Sequence, residues 1–90
     1  MTVFTVAIGN FSFPPTKDQK KIAEVMKEEM KIKAICPMNP HGTLLLFETL
    51  NDAKEARNIF RSYGVKTGRN IVEGEFDFET NTMEGGKVVA

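Results

Sequence analysis

The apolar residues of this chain change their spacing repeatedly, and the order of those changes admits few folds. "TVFTVAIGN" (2–10) sets Phe4, Val6 and Ile8 against Val3, Thr5 and Ala7, the alternation of a strand. Two prolines in "FSFPPT" end it, because each removes a backbone donor and turns its predecessor away from helix. Thr16 and Gln19 of "TKDQ" make a capping box. Ile22, Val25, Met26 and Met30 follow at helical spacing, which predicts a helix over 17–30. Alternation returns in "KIKAICPM" (31–38), and "NPHG" is a turn that leaves Gly42 free to take positive φ. "TLLLFE" (43–48) is apolar at both parities, as a central strand is. Thr49 or Asn51 caps a second helix, "LNDAKEARNIFRSYG", with Ala53, Ala56, Ile59, Phe60 and Tyr63 as its buried stripe and Gly64 just past its end. After the loop "VKTGRN", "IVEGEFDFE" (71–79) is the fourth strand.

With right-handed crossovers, the order β-α-β-β-α-β predicts an α+β, ferredoxin-like sandwich. Its four antiparallel strands take the order 4-1-3-2, and both helices lie on one face, leaving the other open. Residues 1–80 form this single domain. "TNTMEGGKVVA" has no period, so residues 81–90 read as a flexible tail, with a short terminal strand at "KVVA" as the alternative.

Bulk properties narrow the function. No apolar run approaches the roughly 18 residues of a membrane span, and the N-terminus has no basic segment or cleavage site of a signal peptide. A single cysteine, Cys36, permits no internal disulfide and fits a reducing compartment, so the protein is expected in the cytoplasm. Twelve basic and twelve acidic residues cancel, which argues against strong non-specific nucleic-acid binding. They are unevenly spread. Residues 1–69 hold eleven Lys/Arg and seven Asp/Glu, whereas residues 70–90 hold one and five.

Several stretches together resemble the RNA-recognition-motif family. "VAIGNF" (6–11) is similar to its hexamer, "HGTLLLFE" (41–48) stands where its octamer does, and "NDAKEARNIF" and "GRNIVEGEF" resemble its second helix and its approach to strand four. The resemblance spans residues 3–77 and implies the same sandwich. RNA-binding members stack bases on aromatic rings of the two central strands. Here the corresponding positions are Ala7, Thr43 and Leu45, and the basic residue that opens the octamer is His41. The resemblance therefore implies the scaffold without the stacking platform. Such stacking is worth about 1–3 kcal/mol per base.

Placing Phe4, Val6, Ile8, Phe76 and Phe78 against the helices assigns the remaining residues by parity. The open face then shows Val3, Thr5 and Ala7 from strand one, Ile35 with Lys31 and Lys33 from strand two, and Thr43, Leu45 and Phe47 from strand three. Strand four adds Glu73, Glu75, Asp77 and Glu79. An apolar centre between a basic and an acidic edge predicts a protein partner, with a face-to-face homodimer as the first expectation and a different protein on that face as the variant. Val3, Thr5, Ala7, Ile35, Leu45 and Phe47 form the centre of the expected interface, and Lys31 and Lys33 meet Glu73, Glu75 and Asp77 at the rim. The alternative is single-stranded nucleic acid, held by Phe11, Phe13, Lys31, Lys33, Lys66 and Arg69.

Enzymatic chemistry finds no support in the residues. Cys36 and His41 flank a turn with no third orienting group. Strand carboxylates two apart stand parallel at about 7 Å rather than converging on a metal. No phosphate loop, zinc spacing or Ser-His-Asp pattern occurs, so no catalytic residue, metal or cofactor is expected.

Overall fold

The computed structural model describes residues 1–9, 17, 20–36 and 42–90 in full and the backbone of 37–38. The expected capping box around residues 16–19, the phenylalanines Phe11 and Phe13, and His41 lie outside the described residues.

The elements run β1 (Thr2–Ile8), α1 (Lys20–Glu29), β2 (Ala34–Met38), β3 (Gly42–Phe47), α2 (Leu50–Ser62), β4 (Val72–Asp77) and β5 (Thr82–Val88). All strand pairings are antiparallel, in one sheet of order β2-β3-β1-β4-β5. The result is an α+β sandwich, two helices on a five-stranded sheet. β5 corrects the expectation of four strands and a flexible tail over 81–90. It pairs with β4 from Asp77↔Thr82 to Val72↔Val88, and the Ile71 and Val89 amides extend the contact by donating to Ala90 and Ile71 carbonyls.

Local chemistry explains where the elements end. Thr49 caps α2, its hydroxyl accepting from the Asp52 amide at 3.1 Å, while Asp52 adds negative charge to the first turn. At the other end Gly64 has φ +76°, its amide donates to Arg61 and that of Val65 to Phe60, which is the paired closure of a Schellman motif. Tyr63 is exposed, not part of the buried stripe, and the Lys21 ammonium lies 5.9 Å from its ring centre. Gly42 opens β3 at φ +116°, where a β-carbon would stand 2.4 Å from the Ile8 carbonyl oxygen.

The main core lies between the helices and the sheet. Val6 and Ile8 of β1, Leu45 and Phe47 of β3 and Ile71 pack with Met26 and Met30 on the α1 side and with Ala53, Ala56 and Phe60 of α2. A second, smaller cluster joins Val3, Leu46 and Phe76 with Ala34, Cys36, Leu44 and Met83.

Candidate interaction surface

The second cluster marks the sheet face that carries no helix. Its membership follows from register. Phe4 stands opposite Phe47, Val6 opposite Leu45 and Ile8 opposite Thr43, and these pairs face the helices. The alternate positions therefore face away: Val3, Thr5 and Ala7 in β1, Leu44 and Leu46 in β3. Ala34 pairs with Leu46 and Cys36 with Leu44, which extends the face to β2. On the other side Val72 pairs with Thr5 and Gly74 with Val3, so Phe76 shares that parity, and Met83 and Val88 continue it onto β5.

This register corrects several expected positions. Leu45 and Phe47 are 0% exposed in the helix-side core, not on the helix-free face. Ile35 pairs with Leu45 and so points to the helix side too, where it borders a groove of about 400 Å³ with Met26, Met30 and Ile32. Lys33 lines the same groove and forms an ion pair with Glu48 at 3.2 Å. Glu73 and Glu75 stand opposite Phe4 and Thr2, and Asp77 has the same parity, so the acidic edge also lies on the helix side of the sheet. Phe76, expected against the helices, is buried on the helix-free face. Phe78 is in the turn beyond β4, half exposed, with its ring edge-on to Phe76 at 4.7 Å. Of the expected interface, Val3, Thr5 and Ala7 keep their place. The charged rims do not flank them.

What remains is a face to which no described strand residue contributes a charged side chain. Its centre is already closed by its own side chains. Val3 is 0% and Leu46 1% exposed, and a β-carbon on Gly74 would fall on the Met83 terminal methyl, showing how Met83 reaches across that strand. The Thr5 hydroxyl donates to the Val72 carbonyl at 3.2 Å, so the one polar side chain at the centre is satisfied. A partner would meet the half-buried ring around this centre: Ala7, Ala34, Cys36, Leu44, Val72 and Met83.

The cations of the nucleic-acid alternative are set apart. The Lys33 amide donates to the Leu46 carbonyl, at the end of the sheet where β1 begins. The Gly9 amide donates to the Lys66 carbonyl and the Gly68 amide to that of Ala7, which holds Lys66 and Arg69 near the end of β1. Leu46 stands opposite Thr5, and Gly9 lies four residues further on, about 13 Å along the strand. Phe76, the one aromatic side chain that a described strand residue places on this face, is buried and edge-paired rather than open for stacking.

Electrostatic perturbation is concentrated at Glu75. The Thr2 hydroxyl donates to one carboxylate oxygen and the Met1 ammonium lies 3.2 Å from the other. First the Thr2 hydrogen bond and then the ammonium hold the Glu75 pKa below the usual glutamate range. Among the described residues no three His, Cys, Asp or Glu side chains converge as metal ligands, and no helix is long and apolar enough to cross a membrane.

Sequence reasoning did not place Leu44, Leu46 or Val72 on this face, and of β5 it offered only the alternative strand at "KVVA". The available signal was "MEGGKV", in which a glycine pair separates two apolar residues. Comparison with protein-family models, with curated proteins and with solved structures returns no match.

Proposed function

We propose that this chain is a non-enzymatic interaction module, a ferredoxin-like scaffold widened by β5, that self-associates through its helix-free sheet face. The observation that carries this reading is the absence of charge on that face from any of the described strand residues, although 27% of the chain is charged. The central strands β1 and β3 are apolar on both faces, the pattern of strands covered on both. The helices cover these strands on one side, and a second copy covers the other. Five strands about 4.8 Å apart and about six residues long give a face of roughly 500 Å². A standard stable interface takes about 800 Å² from each partner, so this dimer is expected to depend on concentration. The single cysteine, half-buried Cys36, agrees with a reducing, cytoplasmic setting.

Leu44→Glu tests the reading. Leu44 is half-buried on the proposed face and outside the main core. The variant is expected to fold and to lose face-to-face association in sedimentation. A folded Leu44→Glu protein that keeps the wild-type mass would refute the interface. A salt-sensitive shift of amide resonances by a single-stranded oligonucleotide would replace it with the nucleic-acid reading.

A further inference from the structure

The sheet ends in two edges, and they differ in kind. Pro37 interrupts the donors of β2, which blunts that edge against further pairing. β5 contains no proline, is hydrogen-bonded to β4 alone, and is exposed at every residue except half-buried Met83. Val88 is 57% exposed, more than any other large apolar residue among those described. An edge of this length is a template for another strand unless something forbids it.

The order of side chains on β5 selects the strand it fits. Between Glu73 and Glu75 the β4–β5 register shifts by one residue, and Gly85 has φ +69°. Gly85 and Gly86 thus oppose Gly74 together, as a bulge does. Counted as rungs, β5 reads Met83, Glu84, glycine pair, Lys87, Val88: apolar, acid, centre, base, apolar. The bulge also resets parity. Met83 and Val88 are five residues apart and in a regular strand would face opposite ways. Here they pair with Phe76 and Val72 on the helix-free face, while Glu84 and Lys87 pair with Glu75 and Glu73 on the helix side.

We infer that β5 is a self-pairing edge: two copies join antiparallel across a two-fold axis normal to the sheet and passing through the glycine pair. Each Glu84 then stands opposite Lys87 of the second copy, and each Met83 opposite Val88 of the second copy, with faces matched on every rung. Isologous association demands such self-complementarity. The two sheets merge into one of ten strands, with the helices of both copies on the same side. Pairing also answers a local imbalance. Within one chain Glu84 is directly opposite Glu75, and like charges so placed repel, a repulsion that the Met1 ammonium 3.2 Å from Glu75 offsets only in part. Asp77 and Glu79 line the same concavity. The second copy brings a lysine to the free side of Glu84. Charges and bulges usually protect an edge from pairing, but an acid and a base placed symmetrically about the bulge attract a copy of themselves. This inference is independent of the sheet-face reading, since it uses the edge and not the face.

Charge exchange in the Leu44→Glu background tests it. That background removes face-to-face association, so the remaining dimer is the edge dimer. Lys87→Glu and Glu84→Lys, made singly, are each expected to weaken it about tenfold or more, because symmetry repeats every lost pair twice. The double exchange restores opposite charges on both rungs and is expected to return the dimer. Circular dichroism checks that each variant is folded. Amide exchange gives a second readout, with β5 amides gaining protection as protein concentration rises. A folded Leu44→Glu protein that stays monomeric at the concentrations of an NMR sample, single variants that dimerise undiminished, or a double exchange that does not recover would each overturn the inference.

Discussion

Two neighbouring leucines provide the sharpest check on the register of β3. Leu45 is 0% exposed in the core beneath the helices, whereas Leu44 is half-buried on the opposite face. Leu45→Ala removes a side chain enclosed by Val6, Phe47 and the helices, and buried leucine truncations of this kind cost about 2.7–5 kcal/mol. Leu44→Ala leaves part of its void open to solvent, so about 1 kcal/mol is expected. A small domain has a urea m-value of about 1 kcal/mol/M, so Leu45→Ala should lower the midpoint by roughly 3 M and Leu44→Ala by roughly 1 M. At about 4–8 °C per kcal/mol, the melting temperatures should separate by at least ~7 °C. Global stability of a chain this size is about 5–13 kcal/mol, so Leu44→Ala stays folded across that range, and a Leu45→Ala protein already unfolded without urea would count as the larger shift. Equal shifts, or a larger one at Leu44, would refute the register and the face assignment that follows from it. The charge variants carry the same logic further. Leu45→Glu should abolish folding, while Leu44→Glu should not.

Gly42→Ala is expected to lose about 1–3 kcal/mol in the same titration, because φ +116° is strained for any side chain and the new carbon would meet the Ile8 carbonyl oxygen at 2.4 Å. A neutral result would mean that the β2–β3 turn relaxes freely. Glu75 predicts a pH effect. Its folded pKa lies below the unfolded value, so its contribution is present above the ordinary glutamate range and lost as pH falls through the folded value. Thermal melts of Glu75→Gln should therefore show a shallower loss of stability between about pH 5 and pH 3 than wild type. An unchanged acid slope would exclude the Thr2 and Met1 contacts as its cause.

Much of the scaffold was legible because its signals are local. Thr49 and Gly64 bracket α2 in the sequence as they do in space, and the β1 alternation of Phe4, Val6 and Ile8 points inward as read. The β3 register was not legible. In "TLLLF" both parities are apolar, so hydrophobicity alone does not orient the strand, and only pairing with β1 decides that Leu45 and Phe47 turn inward. β4 failed for a related reason. Its alternation of Glu73, Glu75 and Asp77 with Gly74 and Phe76 is plain, but the side each set faces depends on how β4 pairs with β1. Lone phenylalanines suggested the larger core. In the structure Phe76 instead closes the smaller cluster over Val3. The placement of both charged rims fell with these two assignments. β5 was hidden by its bulge, since a glycine pair that shifts the parity of everything after it erases the two-residue period by which strands are recognised.

The two proposed contacts differ in geometry, and together they make a stricter prediction than either alone. A face-to-face dimer of sheets has its two-fold axis parallel to the sheet plane, whereas the β5 edge pairing has an axis normal to it. Perpendicular two-folds that meet close on themselves, here as two ten-stranded sheets packed face to face, a tetramer of the 10.1 kDa chain. Sedimentation at rising concentration should then stop at four chains. Leu44→Glu should leave edge dimers, Lys87→Glu should leave face dimers, and the two substitutions together should leave monomers. The salt response should divide the same way. Exposed Glu84–Lys87 pairs are screened as ionic strength rises, so the dimer left by Leu44→Glu loosens, while the uncharged contact left by Lys87→Glu does not. Growth past four chains would mean that the axes do not meet and the assembly is open. A wild-type protein that stops at two chains would show that one contact operates alone, and the variant that abolishes the dimer would identify which.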